Sequence, residues 1–242
     1  MRKFRVHSSD WLTLACVAFS ISLSGCTLLE KLPFPAKSPA SDETPALSTS
    51  GKADPASLKK LLDSGNAKAK AGQWAAATDD FKQILAADAR NIQAHVQLGW
   101  AYAEQKQWEE AKGHLISAVA LDPNNAGAHA NLAWVYAETQ RWQDAQEQAK
   151  KAIDLDPKNS YPHATLAWAY QSSGQHDLAI AEYEKSLELN PALENSRLAL
   201  GIEYCNKGNP VRAKAQLEKL KKQGSDRSTD LQARIDKGCA AR

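Results

Sequence analysis

The chain has 242 residues, of which 43% are hydrophobic and 24% are charged, so it is long enough to bury a core within one or two domains. Its formal net charge is +2, but three of the 30 basic and one of the 28 acidic residues precede residue 11, in a segment that we expect to be removed. The remaining protein is then neutral. This argues against nucleic-acid binding, because that function needs a positive surface to engage phosphates.

The N-terminal segment up to Gly25 has the order of features that is typical of a signal peptide. Arg2, Lys3 and Arg5 supply positive charge, and residues 11–23 form a mostly apolar run. The run is too short to cross a hydrocarbon core about 30 Å thick as a mature helix. We therefore predict a cleaved signal peptide over residues 1–25.

The apolar run ends in Leu23, Ser24 and Gly25, which are followed directly by Cys26. These four residues resemble the cleavage box of bacterial lipoproteins. The resemblance implies that the Cys26 thiol accepts diacylglycerol and that the mature N-terminus carries two or three acyl chains, such as palmitate, which anchor a protein stably. Thr27 stands where an aspartate would favour the inner membrane, so the resemblance implies the periplasmic face of the outer membrane. An ordinary signal peptide with a chance cysteine is the alternative.

Residues 26–57 have the composition of a tether. They hold five of the ten prolines of the chain, interleaved with serine, threonine and alanine, which favours a disordered or semi-extended segment. About 30 such residues reach about 30 Å as a coil and at most about 90 Å as a polyproline helix. The tether would hold the following domain away from the lipid surface.

From Ile92 to Leu193 the same residue types return with a constant period in three consecutive blocks of equal length. With the first residue of each block as position 1, tyrosine recurs at position 11, alanine at position 20 and proline at position 32. Such a fixed period indicates a stack of repeats. The recurring residues are Tyr102, Tyr136 and Tyr170, then Ala111, Ala145 and Ala179, then Pro123, Pro157 and Pro191.

This pattern resembles the tetratricopeptide repeat, a helix-turn-helix unit. The resemblance implies an all-α fold, a right-handed superhelical solenoid of about five units at residues 58–91, 92–125, 126–159, 160–193 and 194–223. The first unit departs from the pattern at Ser64, Lys68 and Ala89. A terminal unit must cover the open apolar end of the stack, so we predict a capping helix in residues 224–242, within the amphipathic segment Thr229 to Lys237.

Tryptophan recurs at position 9, about 150° around the helix from the stripe that packs. In the family this face of the first helix lines a concave groove that holds ligands, so the resemblance implies a row of indole rings along a binding groove. The alternative is that the rings pack against one another or against the neighbouring repeat. The predicted groove residues are Trp100, Trp134, Trp168, Val96, Gln97, Asn131, Glu104 and Glu138.

Two other recurring series are predicted to be structural. The tryptophans of position 17 should pack the start of each second helix, and the histidines of position 4 fall on the packed stripe. Equivalent histidines should lie about 10 Å apart, too far to share a zinc ion whose nitrogen ligands lie within about 2.1 Å of the metal. No catalytic or phosphate-binding motif accompanies them, so we expect neither a metal, nor a cofactor, nor an enzyme. The two series are Trp74, Trp108 and Trp142, and His95, His129 and His163.

Cys205 and Cys239 would be the remaining cysteines after cleavage of Cys16 and lipidation of Cys26. They are one repeat period apart, at equivalent positions of the last unit and the cap, and the periplasm is oxidising. We therefore hypothesise a disulfide that joins the cap to the stack. Because bridged Cα atoms usually lie within about 6.8 Å of each other, the cap would have to lean in.

These features together predict an adaptor in the periplasm whose groove binds an extended segment of an envelope protein. Glu104 and Glu138 flank the tryptophans, so an apolar segment with some basic character would suit the groove. Assembly of a pilus, a secretion channel or a cell-wall machine fits this architecture by fold analogy. One alternative is that the tryptophans bind a polysaccharide or peptidoglycan. Another is a homo-oligomer in which the tryptophans of two copies meet.

Overall fold

The computed structural model describes residues 54–239, a part of the chain that contains eleven α-helices and no strand. The predicted all-α fold is confirmed. The predicted signal peptide, Cys26 and the linker before residue 54 lie outside the described residues. None of the described helices has the length and apolar character that a membrane span requires. The helices are α1 Pro55–Lys70, α2 Trp74–Ala87, α3 Ile92–Glu104, α4 Trp108–Leu121, α5 Ala126–Glu138, α6 Trp142–Leu155, α7 Ser160–Ser172, α8 His176–Leu189, α9 Glu194–Asn206, α10 Pro210–Lys222 and α11 Arg227–Asp236.

The first ten helices form five helix-turn-helix units, from α1–α2 to α9–α10. Within each unit the two helices pack against each other, and each second helix also packs against the first helix of the next unit. First helices of the first four units touch as well, α1 with α3, α3 with α5 and α5 with α7. A unit therefore buries its apolar faces only by stacking on its neighbours, as in a solenoid.

The first helix begins at Pro55, three residues earlier than the sequence analysis placed the first unit. The Asp54 carboxylate accepts hydrogen bonds from the backbone N–H groups of Ala56 and Ser57, at 3.3 Å and 3.2 Å. Proline suits the first position of a helix, where its missing N–H costs nothing. The assignment of residues 55–57 to the linker was therefore wrong, because Pro55 starts a helix.

Two of the three departures of the first unit from the repeat pattern, Ser64 and Lys68, form one polar cluster with Asp80. Ser64 Oγ donates to Asp80 Oδ2 at 2.7 Å, and Lys68 Nζ lies 2.6 Å from the same oxygen. Burial by itself would raise the pKa of Asp80, but the hydrogen bonds from Lys68 and Ser64 outweigh it and lower that pKa. The first unit thus has a serine and the lysine of an ion pair at positions where the later units have the leucine and tyrosine of the repeat pattern.

The alanine of position 20 lies in the packed interior of every unit. All five of these alanines are completely buried. A larger side chain at such a site would force the helices apart. The five residues are Ala77, Ala111, Ala145, Ala179 and Ala213.

The last helix, α11, caps the stack by packing against α9 and α10. Its Leu231 and Ile235 are 0% and 9% exposed and belong to the apolar core of the last units. The structure also joins Cys205 to Cys239 in a disulfide, the pairing hypothesised from the sequence, with the Cα atoms 4.4 Å apart. The cap thus covers the apolar face that the fifth unit would otherwise leave open.

Candidate functional site

The three tryptophans of position 9 lie on the first helices α3, α5 and α7, and all three are partly exposed. They neither fill the interior of the solenoid nor project freely into solvent. Each packs at the margin of the apolar core while it keeps part of its surface open. Both sequence-based interpretations, an accessible ring and a ring packed on its neighbour, therefore describe part of the arrangement.

Each position-9 tryptophan packs against the position-17 tryptophan of the preceding unit. We call these three contacts the indole pairs. Their ring planes are steeply inclined, at 68–89°, which is the edge-to-face geometry that aromatic rings prefer. The ring centroids are 4.9 Å apart in Trp74–Trp100, 6.2 Å in Trp108–Trp134 and 5.6 Å in Trp142–Trp168.

Sequence reasoning treated the two tryptophan series separately and missed that they meet. The signal is the constant offset between the partners of each pair, from position 17 of one unit to position 9 of the next. A helical wheel of one helix cannot reveal such a contact, because the partners lie on different helices. The position-17 tryptophans are therefore more than packing for their own helix, since they also support the rings of the candidate binding face.

Two of the position-9 indoles are oriented by a glutamate one helical turn later. Trp100 Nε1 donates to Glu104 Oε1 at 3.2 Å, and Trp134 Nε1 donates to Glu138 Oε1 at 3.1 Å. Both glutamates are exposed. The third tryptophan, Trp168 of the fourth unit, has Ser172 at this position. Each of the two bonds places a solvent-facing carboxylate at the edge of an indole ring.

The other predicted groove residues differ in accessibility. Gln97 and Asn131 are partly exposed and remain available to a ligand. Val96 was a wrong choice, because it is only 7% exposed and packs with Ala118 and Ala128 inside the stack. The apolar side chain of Val96 is buried in the contact between successive units, because removing apolar surface from water is favourable.

The row of indole pairs ends at the boundary between the fourth and fifth units. His176 replaces tryptophan at position 17, and Glu203 occupies position 10 of the next unit, where earlier units have alanine or valine. Glu203 is completely buried and accepts hydrogen bonds from His176 Nδ1 at 2.8 Å and Gln171 Nε2 at 2.7 Å. Tyr183 donates to Gln171 Oε1 at 2.9 Å. A polar network thus takes the place of a fourth indole pair.

The histidines of position 4 each bond across their own unit to the second helix. His129 Nδ1 contacts Gln148 Oε1 at 2.7 Å, and His163 Nδ1 contacts Glu182 Oε2 at 2.7 Å. His95 contacts the ring of His114, and burial together with His95 lowers the pKa of His114. Within residues 54–239 no group of three or more potential ligand side chains is arranged to hold a metal ion. These contacts give the histidines a structural role.

Two family models match the repeats, and both describe the tetratricopeptide repeat. One matches residues 68–118 and 110–169, and the other matches residues 163–193. Together they span residues 68–193, more than half of the chain. No curated protein matches the sequence at a significant level.

Solved structures of other proteins are also similar to this chain. MamA is 29% identical over 66% of this chain and 96% of its own, with a TM-score of 0.58. The tetratricopeptide-repeat protein TTC0263 of Thermus thermophilus is 22% identical over 74% of this chain and 97% of its own, with a TM-score of 0.62. PilF of Pseudomonas aeruginosa is 21% identical over 75% of this chain and 84% of its own, with a TM-score of 0.69. The period, the helix pairs and these matches agree, and the chain belongs to the tetratricopeptide-repeat family of interaction scaffolds.

Proposed function

We propose that the protein is a lipid-anchored adaptor at the periplasmic face of the outer membrane. In this proposal Cys26 carries the lipid, the following residues act as a tether, and the repeats bind an extended segment of an envelope protein. The family supports the interaction role, because solenoids of stacked repeats present extended concave surfaces to their ligands. A part in assembling a pilus, a secretion channel or a cell-wall machine rests on fold analogy alone.

The observation that carries the proposal is the row of three indole pairs at successive unit boundaries. Rings that are partly exposed and already held by a neighbouring ring lose little freedom when a ligand covers them. The pairs recur once per repeat unit, which suits an extended chain, because its side chains also recur at a constant rise of about 3.3 Å per residue. A peptide laid across the first helices could place an apolar side chain on each pair.

Glu104 and Glu138 define the charge that such a segment should carry. Both carboxylates lie at indole edges, and neither forms an ion pair with a lysine or arginine within residues 54–239. A basic side chain would meet a carboxylate and an aromatic ring together, which combines charge attraction with a cation–π contact. The preferred segment is therefore apolar with interspersed lysine or arginine.

Site-specific photo-cross-linking in intact cells tests the binding face. A photoreactive amino acid placed at Gln97 or Asn131 should cross-link to one envelope protein, and the Trp100→Ala/Trp134→Ala background should abolish the product. The matched control is the same amino acid at Ile116, which is 46% exposed on the second helix α4. Equal cross-linking from Ile116 and from Asn131 would show that the tryptophan face is not the binding surface.

The lipid anchor has its own test. Cells fed labelled palmitate should incorporate the label into the wild-type protein, which should sediment with outer-membrane fractions. The Cys26→Ala variant should lose both properties, because it lacks the thiol that receives the lipid. Wild-type protein that carries no label and stays in the soluble periplasmic fraction would refute the anchor but leave the binding face untouched.

The alternative of a glycan ligand is favoured by the same exposed rings, since indole faces also stack on sugar rings. Titration with peptidoglycan fragments separates the two ligands, because tryptophan fluorescence should stay unchanged if the groove takes peptide. A fluorescence change that saturates with added fragment would favour the glycan.

Self-association through the tryptophans is checked by sedimentation at low micromolar concentration, where we expect the wild type to be monomeric.

A further inference from the structure

Away from the indole pairs, a cavity of about 620 Å³ opens between α8, α9 and α10. Leu187 of α8 and Leu200 of α9 line it, and they are 9% and 2% exposed. Lys219 and Lys222 of α10 contribute to the lining, and Arg197 of α9 completes this part of the wall. The cavity thus combines apolar surface with three cationic side chains.

Arg197 is an unusual residue for its place in the repeat. It occupies position 4 of the fifth unit, where the three preceding units have histidine, and it is only 4% exposed. Its Nε donates to Gln223 Oε1 at 3.2 Å and its Nη1 to Gln216 Oε1 at 3.3 Å, while Nη2 donates to the carbonyl of Pro191. All three acceptors are neutral. A guanidinium has five N–H groups, so one on each Nη remains for another acceptor.

The expected counter-ion of Arg197 is missing. In the fourth unit the position-4 residue His163 faces the carboxylate of Glu182, but the fifth unit has Gln216 at the equivalent place. No carboxylate of the described residues lies within ion-pair distance of Arg197. A cation held out of water without an opposite charge is unfavourable, and burial lowers the pKa of Arg197. An anion that entered the cavity would supply the missing charge.

The two acidic residues of the cavity wall already have partners. The Tyr204 hydroxyl donates to Glu184, and Lys185 Nζ lies 2.9 Å from Glu188 Oε2. Lys219 and Lys222 form no ion pair within the described part of the chain. Lys185 neutralises Glu188, whereas the neutral Tyr204 hydroxyl leaves the charge of Glu184 in place, so Arg197, Lys219 and Lys222 outnumber one unpaired carboxylate and the balance of the cavity is positive. The nearby glutamates nevertheless disfavour a doubly charged phosphate relative to a singly charged carboxylate.

We propose that this cavity binds a carboxylate that has an apolar group beside it, with the carboxylate on Arg197 and the two lysines and the apolar group on Leu187 and Leu200. The planar guanidinium suits a carboxylate, which accepts two N–H groups at once. A peptide C-terminus that ends in an apolar residue and a small organic acid share this chemistry. The site is separate from the tryptophan face, so it stands whether or not that face binds its proposed partner.

The test is a titration of the ¹⁵N-labelled full-length protein followed by NMR at the Arg197 Nε–H resonance. An acetylated tetrapeptide that ends in leucine with a free carboxylate should shift this resonance and saturate, whereas the same peptide with a C-terminal amide should not. Butyrate serves as the small-acid arm and distinguishes a general carboxylate site from one that needs a peptide. Inorganic phosphate should bind at least tenfold more weakly than the peptide acid.

Two variants and a control locate the ligand. Arg197→His introduces the residue of the second, third and fourth units and should weaken peptide-acid binding at least tenfold, with binding then followed by the Leu187 and Leu200 methyl resonances. Lys219→Gln/Lys222→Gln should weaken it severalfold in a chain whose buried residues are unchanged. Lys214→Gln, an exposed site on α10 that does not line the cavity, should have no effect. Equal shifts with acid and amide, binding of phosphate as tight as that of the acid, or the absence of any saturable shift would each overturn the proposal.

Discussion

Position 8 of each unit shows at the residue scale how tightly the repeat specifies its packing. A Cβ atom added to Gly65 would lie 2.5 Å from the Phe81 ring, and one added to Gly99 would lie 2.4 Å from Leu115 Cγ. The third unit has Ala133 at this position, and its counterpart on the second helix is the small residue Ala149. In the first two units glycine at position 8 therefore makes room for the large side chain opposite, whereas the fourth unit combines Ala167 with Tyr183 at the same two positions.

Gly99→Ala should lower the free energy of unfolding by about 1–3 kcal/mol, because the new methyl overlaps Leu115. In a Leu115→Ala background the same change should cost nothing, since it reproduces the alanine pair of the third unit. Gly113→Ala is the control, because nothing lies within 4 Å of its added Cβ and it should stabilise the helix by roughly 0.5–1 kcal/mol. Urea unfolding measures all four variants, and an equal cost of Gly99→Ala in both backgrounds would refute the steric explanation.

Tyr183 provides a pH-dependent prediction at the same scale. Burial, together with the Glu203 charge, raises the pKa of Tyr183 above its ordinary value of 10.0. The unfolded chain therefore loses this proton at a lower pH than the folded chain does, and stability that is fully present below about pH 10 falls as the pH rises further.

The comparison is wild type against Tyr183→Phe, which cannot ionise. Near pH 8 the wild type should be more stable by about 1 kcal/mol, because it keeps the hydrogen bond to Gln171. Above about pH 10 that advantage should shrink. Urea unfolding at several pH values follows the difference, and an advantage that stays constant or grows would contradict the assignment.

At the scale of the element, the turn inside each unit has the same backbone shape. The residue at position 15 has a positive φ in all five units, between 60° and 74°. Glycine occupies this place in three units, while Lys106 and Gln140 occupy it in the second and third. The backbone of a residue other than glycine is strained in this conformation.

Gln140→Gly should therefore raise the free energy of unfolding by about 1 kcal/mol, although glycine also makes the unfolded chain more flexible. Gly174→Gln, the reverse change in the fourth unit, should lower it by a similar amount. Thermal unfolding with far-ultraviolet circular dichroism compares both with the wild type. Destabilisation by Gln140→Gly would mean that the Gln140 side chain contributes more than the strain costs.

At the scale of the whole molecule, the stack depends on how its open end is closed. The Cys205–Cys239 disulfide, with a sequence separation of 34, closes a segment that includes α10 and α11. Reduction should lower the free energy of unfolding by about 4 kcal/mol through the entropy returned to the unfolded chain. Hydrogen exchange should then increase first in α9, α10 and α11. The free energy of unfolding of Cys205→Ala/Cys239→Ala should not change when a reductant is added. A wild type whose free energy of unfolding is also unchanged by the reductant would show that the disulfide does not stabilise the cap.

The period of the sequence was enough to predict the helices, the number of units and the cap, because each recurring small or aromatic residue has one packing role. Contacts between units were not predictable in the same way. The indole pairs, the burial of Val96 and the Glu203 network depend on how neighbouring helices approach, which a single helical wheel does not contain. The start at Pro55 was missed because a proline in a tether and a proline at a helix start look alike in sequence.

We propose that the indole pairs form a binding surface as well as a contact between units. Isothermal titration of the segment identified by cross-linking measures it directly, with the wild type compared with the Trp100→Ala/Trp134→Ala/Trp168→Ala variant after circular dichroism has shown that the variant is folded. Because buried aromatic anchors dominate binding energy, we predict that the variant binds at least roughly thirtyfold more weakly. Equal affinity of the folded variant and the wild type would contradict the account and leave the tryptophans a purely structural role.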